Sequence, residues 1–250
     1  MRFAPATVSR LVLVALTAAI LSAAPSLQAQ GIFVTPIPGA PFVGKVSVQR
    51  TILQTNGHTL TIFTTHMIAR DAQGRIRNEF SSFMPPNSTA APTVLRVHLY
   101  DPQNRLSTML FPMSRMFRIM PVGRPPATDT PAGYASPAGS TLPPSQYANE
   151  QDLGTRTIAG LEVHGVRYTQ DIPAVASGTG KDIVVTDEYW YSYDLKMNLS
   201  ITHNDPRTGS MTWAVIQLTR TDPDPSLFAI PADYKPFTRP QPPPHKANSQ

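Results

Sequence analysis

Between its proline-rich segments the chain alternates with a period of two, not 3.6. Val46, Val48 and Ile52 alternate with Ser47, Gln49 and Thr51, the pattern of a strand with one face buried and one wet. Asn56-Gly57 follows, a dipeptide that tolerates the positive φ angles of a two-residue hairpin turn. The return strand sets Leu60, Ile62, Thr64 and Ile68 on one face. Further turns are expected at Asp71-Ala72-Gln73-Gly74 and Asp101-Pro102-Gln103-Asn104, where Asp and Asn cap locally and Gly and Pro supply special φ values. Strands then fall at 75–83, 93–100 and 105–111.

The second half continues in the same style without a clean internal repeat. Strands are expected at 155–158, 161–172, 183–193, 196–203 and 210–220, with short turns at Ala159-Gly160 and at 204–209. Asp224-Pro225-Ser226 ahead of Leu227-Phe228 reads as a single capped helical turn. The expected fold class is mainly β: a curved or partly closed antiparallel sheet, a meander or half-barrel, with little helix after the signal peptide. One sheet is expected to run through both halves, because either half alone has few strands to bury.

The N-terminus sets the compartment. Arg2 and Arg10 precede an uncharged run over 11–24 rich in Leu, Val and Ala, and Pro25 then breaks the helix before Leu27-Gln28-Ala29. That is the three-part plan of a secretory signal, with cleavage expected after Ala29. A run of this length falls short of the roughly 20 residues a membrane span requires. Export is therefore expected, to the periplasm or the extracellular space. The sequence has no Cys, so the fold must be held by burial without disulfides, and a lipid anchor at a mature N-terminal Cys is excluded. Losing two arginines with the signal lowers the net charge from +5 to +3, too mild to argue for nucleic acid.

Pro, 27 in all, gathers at three places. The expected organisation is a signal peptide at 1–29, an extended lead-in at 30–42, a single β-rich domain at 43–236 and a disordered Pro-rich tail at 237–250. An irregular Pro/Gly-rich segment, 112–150, is expected to interrupt the domain.

Four stretches carry a resemblance. They are Arg70-Asp71-Ala72-Gln73-Gly74-Arg75-Ile76-Arg77-Asn78-Glu79, Asp152-Leu153-Gly154-Thr155 running into Ile158-Ala159-Gly160-Leu161-Glu162-Val163-His164-Gly165, Glu188-Tyr189-Trp190-Tyr191-Ser192, and Asp224-Pro225-Ser226-Leu227-Phe228 with Ile230-Pro231-Ala232-Asp233-Tyr234. Together they resemble a group of uncharacterised bacterial secreted proteins to which no activity is attached. More distantly, the architecture is similar to the LolA/LolB-like lipoprotein-carrier fold, which implies a curved antiparallel sheet around an apolar cavity. Carriers of that kind also line the cavity with helices, and no long helical stripe follows the signal here.

No catalytic, cofactor or metal motif emerges. Ser177-Gly178-Thr179-Gly180-Lys181 lacks the phosphate-loop spacing, since Val175 and Asp182 stand where Gly and a hydroxyl residue are required. His58, His66, His98, His164, His203 and His245 form no local ligand pair, although distant strands can bring His66, His98 or His164 together. No Gly-x-Ser-x-Gly elbow occurs. Asp187 and Glu188 are adjacent, so on a strand they point to opposite faces.

The richest feature is aromatic. Tyr189, Trp190 and Tyr191 lie in one strand, and the second Trp, Trp213, lies in the same meander. Tyr189 and Tyr191 share a face and Trp190 takes the other, so one face is core and the other offers rings to a ligand or partner. These four residues are the candidate binding surface. The expected function is that of an exported, non-enzymatic envelope protein binding a lipid, another apolar ligand or an envelope protein. The alternatives are an envelope hydrolase with a site assembled from separate strands, and a structural or sensory module. A deep apolar cavity favours carriage, a cleft of converging His, Asp and Arg favours catalysis, and a filled interior favours the module.

Overall fold

A computed structural model describes residues 31–123 and 148–237. The first alternating run forms β1 (Phe42–Leu53) and β2 (Thr59–Arg70), paired antiparallel from Phe42↔Arg70 to Leu53↔Thr59. Their turn differs from the expected two-residue form. The Gly57 amide donates to the Gln54 carbonyl at 2.9 Å and the Gln54 amide to the His58 carbonyl at 2.8 Å, which leaves Thr55, Asn56 and Gly57 as a three-residue loop. Only Gly57 takes a positive φ, of 82°. That geometry asks one residue, not two, to adopt a left-handed conformation, and it spares Asn56, whose side chain instead accepts from the His58 amide at 3.0 Å.

The chain then meanders through β3 (Ile76–Ser81), β4 (Val94–Asp101), β5 (Leu106–Phe111) and β6 (Met116–Pro121). After the undescribed stretch come β7 (Ala148–Ile158), β8 (Leu161–Ile172), a one-turn helix α1 (Ala174–Ser177), β9 (Ile183–Ser192), β10 (Met197–Asp205) and β11 (Gly209–Thr219). A 3-10 turn at Pro225–Phe228 is capped by Asp224, whose carboxylate accepts from the Ser226 amide at 2.8 Å. A two-residue β12 (Lys235–Pro236) ends the described chain and pairs parallel to β6; the other ladders are antiparallel.

All twelve strands form one curved, open sheet in the order β12-β6-β5-β4-β3-β2-β1-β11-β10-β9-β8-β7. Its middle is the β1–β11 seam, where Ile52 pairs with Gly209. Gly209 has φ of 108°, and a Cβ there would lie 1.9 Å from the Thr51 carbonyl oxygen. Only glycine lets the two backbones approach this closely.

One further expectation needs correction. The segment 112–150 is not irregular throughout, because β6 lies inside it and β7 begins at Ala148. Met-Phe-Arg-Ile-Met-Pro has no alternation to announce a strand; it is specified by its hairpin partner β5, with Arg115 (φ 50°) supplying the turn. Residues 1–30, which include the expected signal peptide, 124–147 and 238–250 lie outside the described residues. The lead-in packs down: Ile32, Val34 and Ala40, with Phe42 at the start of β1, are buried in the main core. Alternation within Ile32-Phe33-Val34-Thr35 turns two branched side chains inward.

The main core joins this strap to Val46, Val48, Ile68, Leu199, Ile201, Trp213 and Val215. A smaller core, Val97, Leu99 and Leu110, is covered by Ile230 and Tyr234 from the C-terminal segment. Arg70 is fully buried and ties strap to sheet, its guanidinium donating to the carbonyls of Thr35, Ala40 and Leu195 at 2.8–2.9 Å.

Candidate functional site

Residues opposite one another in an antiparallel ladder share a face, so the register shows what the sheet presents. One row runs Val48, Trp213, Ile201, Tyr189, Val166 across β1, β11, β10, β9 and β8. Two residues further along each strand, on the same face, runs Arg50, Met211, His203, Asp187, Tyr168, Glu150. The first row is core at its β1 end and becomes half-buried at Tyr189. The second is more polar, exposed at Arg50 and Glu150 and half-buried between them.

This geometry divides the four aromatic residues singled out in the sequence. β9 does neighbour β10, which separates it from β11. Trp190 and Trp213, however, are only 7% and 9% exposed and belong to the main core. Trp213 is roofed by the strap, since a Cβ on Gly31 would lie 2.8 Å from its Nε1. Trp190 lies over Gly165, where a Cβ would be 2.6 Å from the ring, with the Arg156 guanidinium 3.7 Å above the ring centre. Its indole N–H donates to Glu188 at 2.6 Å, and Arg167 holds the same carboxylate at 2.9 Å. These contacts pack the indole on both sides.

Tyr189 and Tyr191 stay half-buried on the face opposite Trp190, the face that also carries Trp213, and two further tyrosines join them. Tyr168 meets Tyr189 edge-on with ring centres 6.0 Å apart, and Tyr191 meets Tyr193 edge-on at 5.2 Å. Tyr193 is 52% exposed, with the Lys196 ammonium 5.7 Å from its ring centre. Tyr193 escapes sequence reasoning because its partner is set by the turn after β9, and the pairing of Tyr168 with Tyr189 is set by the β8–β9 register.

Beside the rings, His203 Nδ1 and Asp187 Oδ1 are 2.8 Å apart. Burial pushes the Asp187 carboxyl above the ordinary carboxylate range, an effect the His203 hydrogen bond and charge partly oppose. Burial, then the Asp187 charge and Tyr168, push Tyr189 up to about 12. A raised folded value means stability present below the unfolded value near 10 and lost as pH rises through 12. Spectrophotometric titration should therefore show one late tyrosine near pH 12, absent in Tyr189→Phe. The alkaline unfolding midpoint of that variant should move upward.

No serine or threonine hydroxyl among the described residues is hydrogen-bonded to His203, so the dyad has no nucleophile of that kind to activate. The other histidines are dispersed. His98 pairs with Ser107 at 2.9 Å, His164 with Asp152 at 3.2 Å, and His66 stands apart on β2. Among the described residues no trio of histidines and carboxylates is placed to hold a metal ion.

No protein-family model and no curated protein matches the sequence. Among solved structures, the chain is similar to a chain of the Pseudomonas aeruginosa MucA/MucB complex, at 13% identity and a TM-score of 0.41. That match covers 78% of this chain and 56% of the other, so the chain spans little more than half the length of that protein. It is also similar to an uncharacterised conserved protein from Thermus thermophilus, at 11% identity and a TM-score of 0.40, covering 80% of this chain and 91% of that one. A LolA superfamily protein from Nitrosomonas europaea is similar at 9% identity and a TM-score of 0.27, with 78% and 92% covered.

Proposed function

We propose that the protein is an exported, non-enzymatic binding protein that holds a ligand or partner with apolar surface against the tyrosine face of β8 and β9. The observation that supports this reading most directly is the set of four tyrosines, Tyr168, Tyr189, Tyr191 and Tyr193, in two edge-on pairs on half-covered sheet. Such rings offer large contact area with few rotors to freeze and a hydroxyl for orientation. The sheet beneath them is anchored by the buried Trp190 and Val166, so the face is held rigid before anything binds. A hydrolase reading has less support, since the Asp187–His203 pair lacks a hydroxyl partner.

Native mass spectrometry of protein purified from its own envelope tests this. The wild-type chain should carry a bound molecule or partner that Tyr191→Ser/Tyr193→Ser loses, while the melting temperature moves by only a few degrees. Capture that survives the double substitution would remove the tyrosines from the site.

A further inference from the structure

The sheet face opposite the tyrosines has its own feature, a parting between β2 and β3. Their ladder runs only from Arg70↔Ile76 to Ile68↔Asn78, and the strands meet again at a single bridge, Phe63↔Met84. Four β2 residues therefore face five on the other side. In the gap Glu79, 8% exposed, takes over the role of a strand carbonyl and accepts from the Met67 amide at 3.3 Å.

Over this parting lies a cleft of about 420 Å³ lined by Val43, Lys45, Met67, Glu79, Val94 and Leu218, among others. The 82–93 connection forms one wall through Ala91 and Pro92. Its floor is mostly apolar, and its charges do not cancel. Arg77 holds Glu79 Oε1 through two N–H groups, at 3.1 and 2.7 Å, so that carboxylate is already answered. Lys45 is exposed and forms no ion pair with any described residue. Ser81, also in the lining, has a buried hydroxyl oxygen with no hydrogen-bond partner among the described residues. A buried hydroxyl left unpaired costs about 1–3 kcal/mol unless something fills the need.

We propose that this cleft binds a small monocarboxylate with a compact apolar body. Its carboxylate pairs with Lys45, and its body lies over Val43, Met67 and Leu218. The charge selects an anion, because Lys45 is the one lysine or arginine in the lining and has no counter-charge among the described residues. The volume selects the size, since it falls at the lower end of the roughly 300–1,000 Å³ of small-molecule sites. A phenyl ring on a short acid is of this size.

The test uses the mature chain with 3-phenylpropanoate, its neutral amide and the corresponding 3-phenylpropylammonium, read by calorimetry and by amide chemical shifts. The acid should bind and shift the amides of Met67 and Val94, and the amide and amine should bind at least about tenfold more weakly. Lys45→Gln should cost the acid a similar factor, while Lys181→Gln, away from the cleft, and Tyr191→Ser/Tyr193→Ser leave it unchanged. No binding of the acid, equal binding of the amide, or a change below about twofold in Lys45→Gln would overturn the assignment.

Discussion

Arg70→Met is expected to lower the folding free energy by about 3–5 kcal/mol, read as a shift in urea midpoint at constant slope. The guanidinium is fully buried, and no carboxylate pairs with it among the described residues. Burial depresses its pKa to about 10, the nearby Arg220 adding to the effect, so the cation is held against a desolvation cost. What offsets that cost is its set of three carbonyls from Thr35, Ala40 and Leu195, with the Phe42 ring 5.2 Å away. Methionine fills the volume but strands all three acceptors. Lysine keeps the charge but lacks the planar fork that reaches several acceptors at once, so Arg70→Lys should recover only part of the loss. Hydrogen exchange gives the local signature: the Gly39 amide, which donates to the Ala72 carbonyl at 3.0 Å, should lose protection first. A variant as stable as the wild type would mean that the strap docks without its arginine.

Trp190→Ala should be nearly as damaging, at about 3–5 kcal/mol, the range for emptying a buried aromatic site. Its ring fills the space between Gly165 and Arg156, and its N–H is bound to Glu188. Truncation leaves a cavity and takes a donor from a carboxylate that Arg167 alone then holds. Gly165→Ala approaches the same contact from the other side. Its Cβ, 2.6 Å from the indole, forces the ring out of place, for about 1–3 kcal/mol. If Trp190→Ala melts like the wild type, the indole does not bear on the core.

Much of the fold was legible because alternation and turn chemistry agree. Asp101 shows why: its carboxylate accepts from the Gln103 and Asn104 amides at 2.9 and 3.0 Å, so the residue types that suggest a turn also build it. β6 was not legible, since its residues acquire a face only by pairing with β5. The packing of the strap was not legible, since Ile32 and Val34 acquire a buried face only by docking onto the main core. At the candidate site, alternation along β9 correctly separates Tyr189 and Tyr191 from Trp190. It cannot say which face is dry, because that depends on Arg156 and Gly165, brought in by β7 and β8. The cleft left no trace in the sequence, since Lys45, Glu79 and Leu218 become neighbours only through three different ladders.

The β1–β11 seam bears on how the chain acquires its structure. β2 to β6 and β7 to β11 are meanders of neighbouring hairpins, each able to zip from a local turn. The ladder that unites them pairs Val43 with Thr219, so its first strand waits, half-matched, until almost the whole polypeptide has emerged. Closing so long a loop is entropically expensive before any contact rewards it, and topologies dominated by distant pairings fold in milliseconds to seconds rather than microseconds. During that interval the open edge of β1 offers unpaired amides and carbonyls beside Val46 and Val48, a template for a stray strand of another copy. Assembly from the two ends toward the middle thus makes the last ladder to form the one on which both yield and aggregation depend.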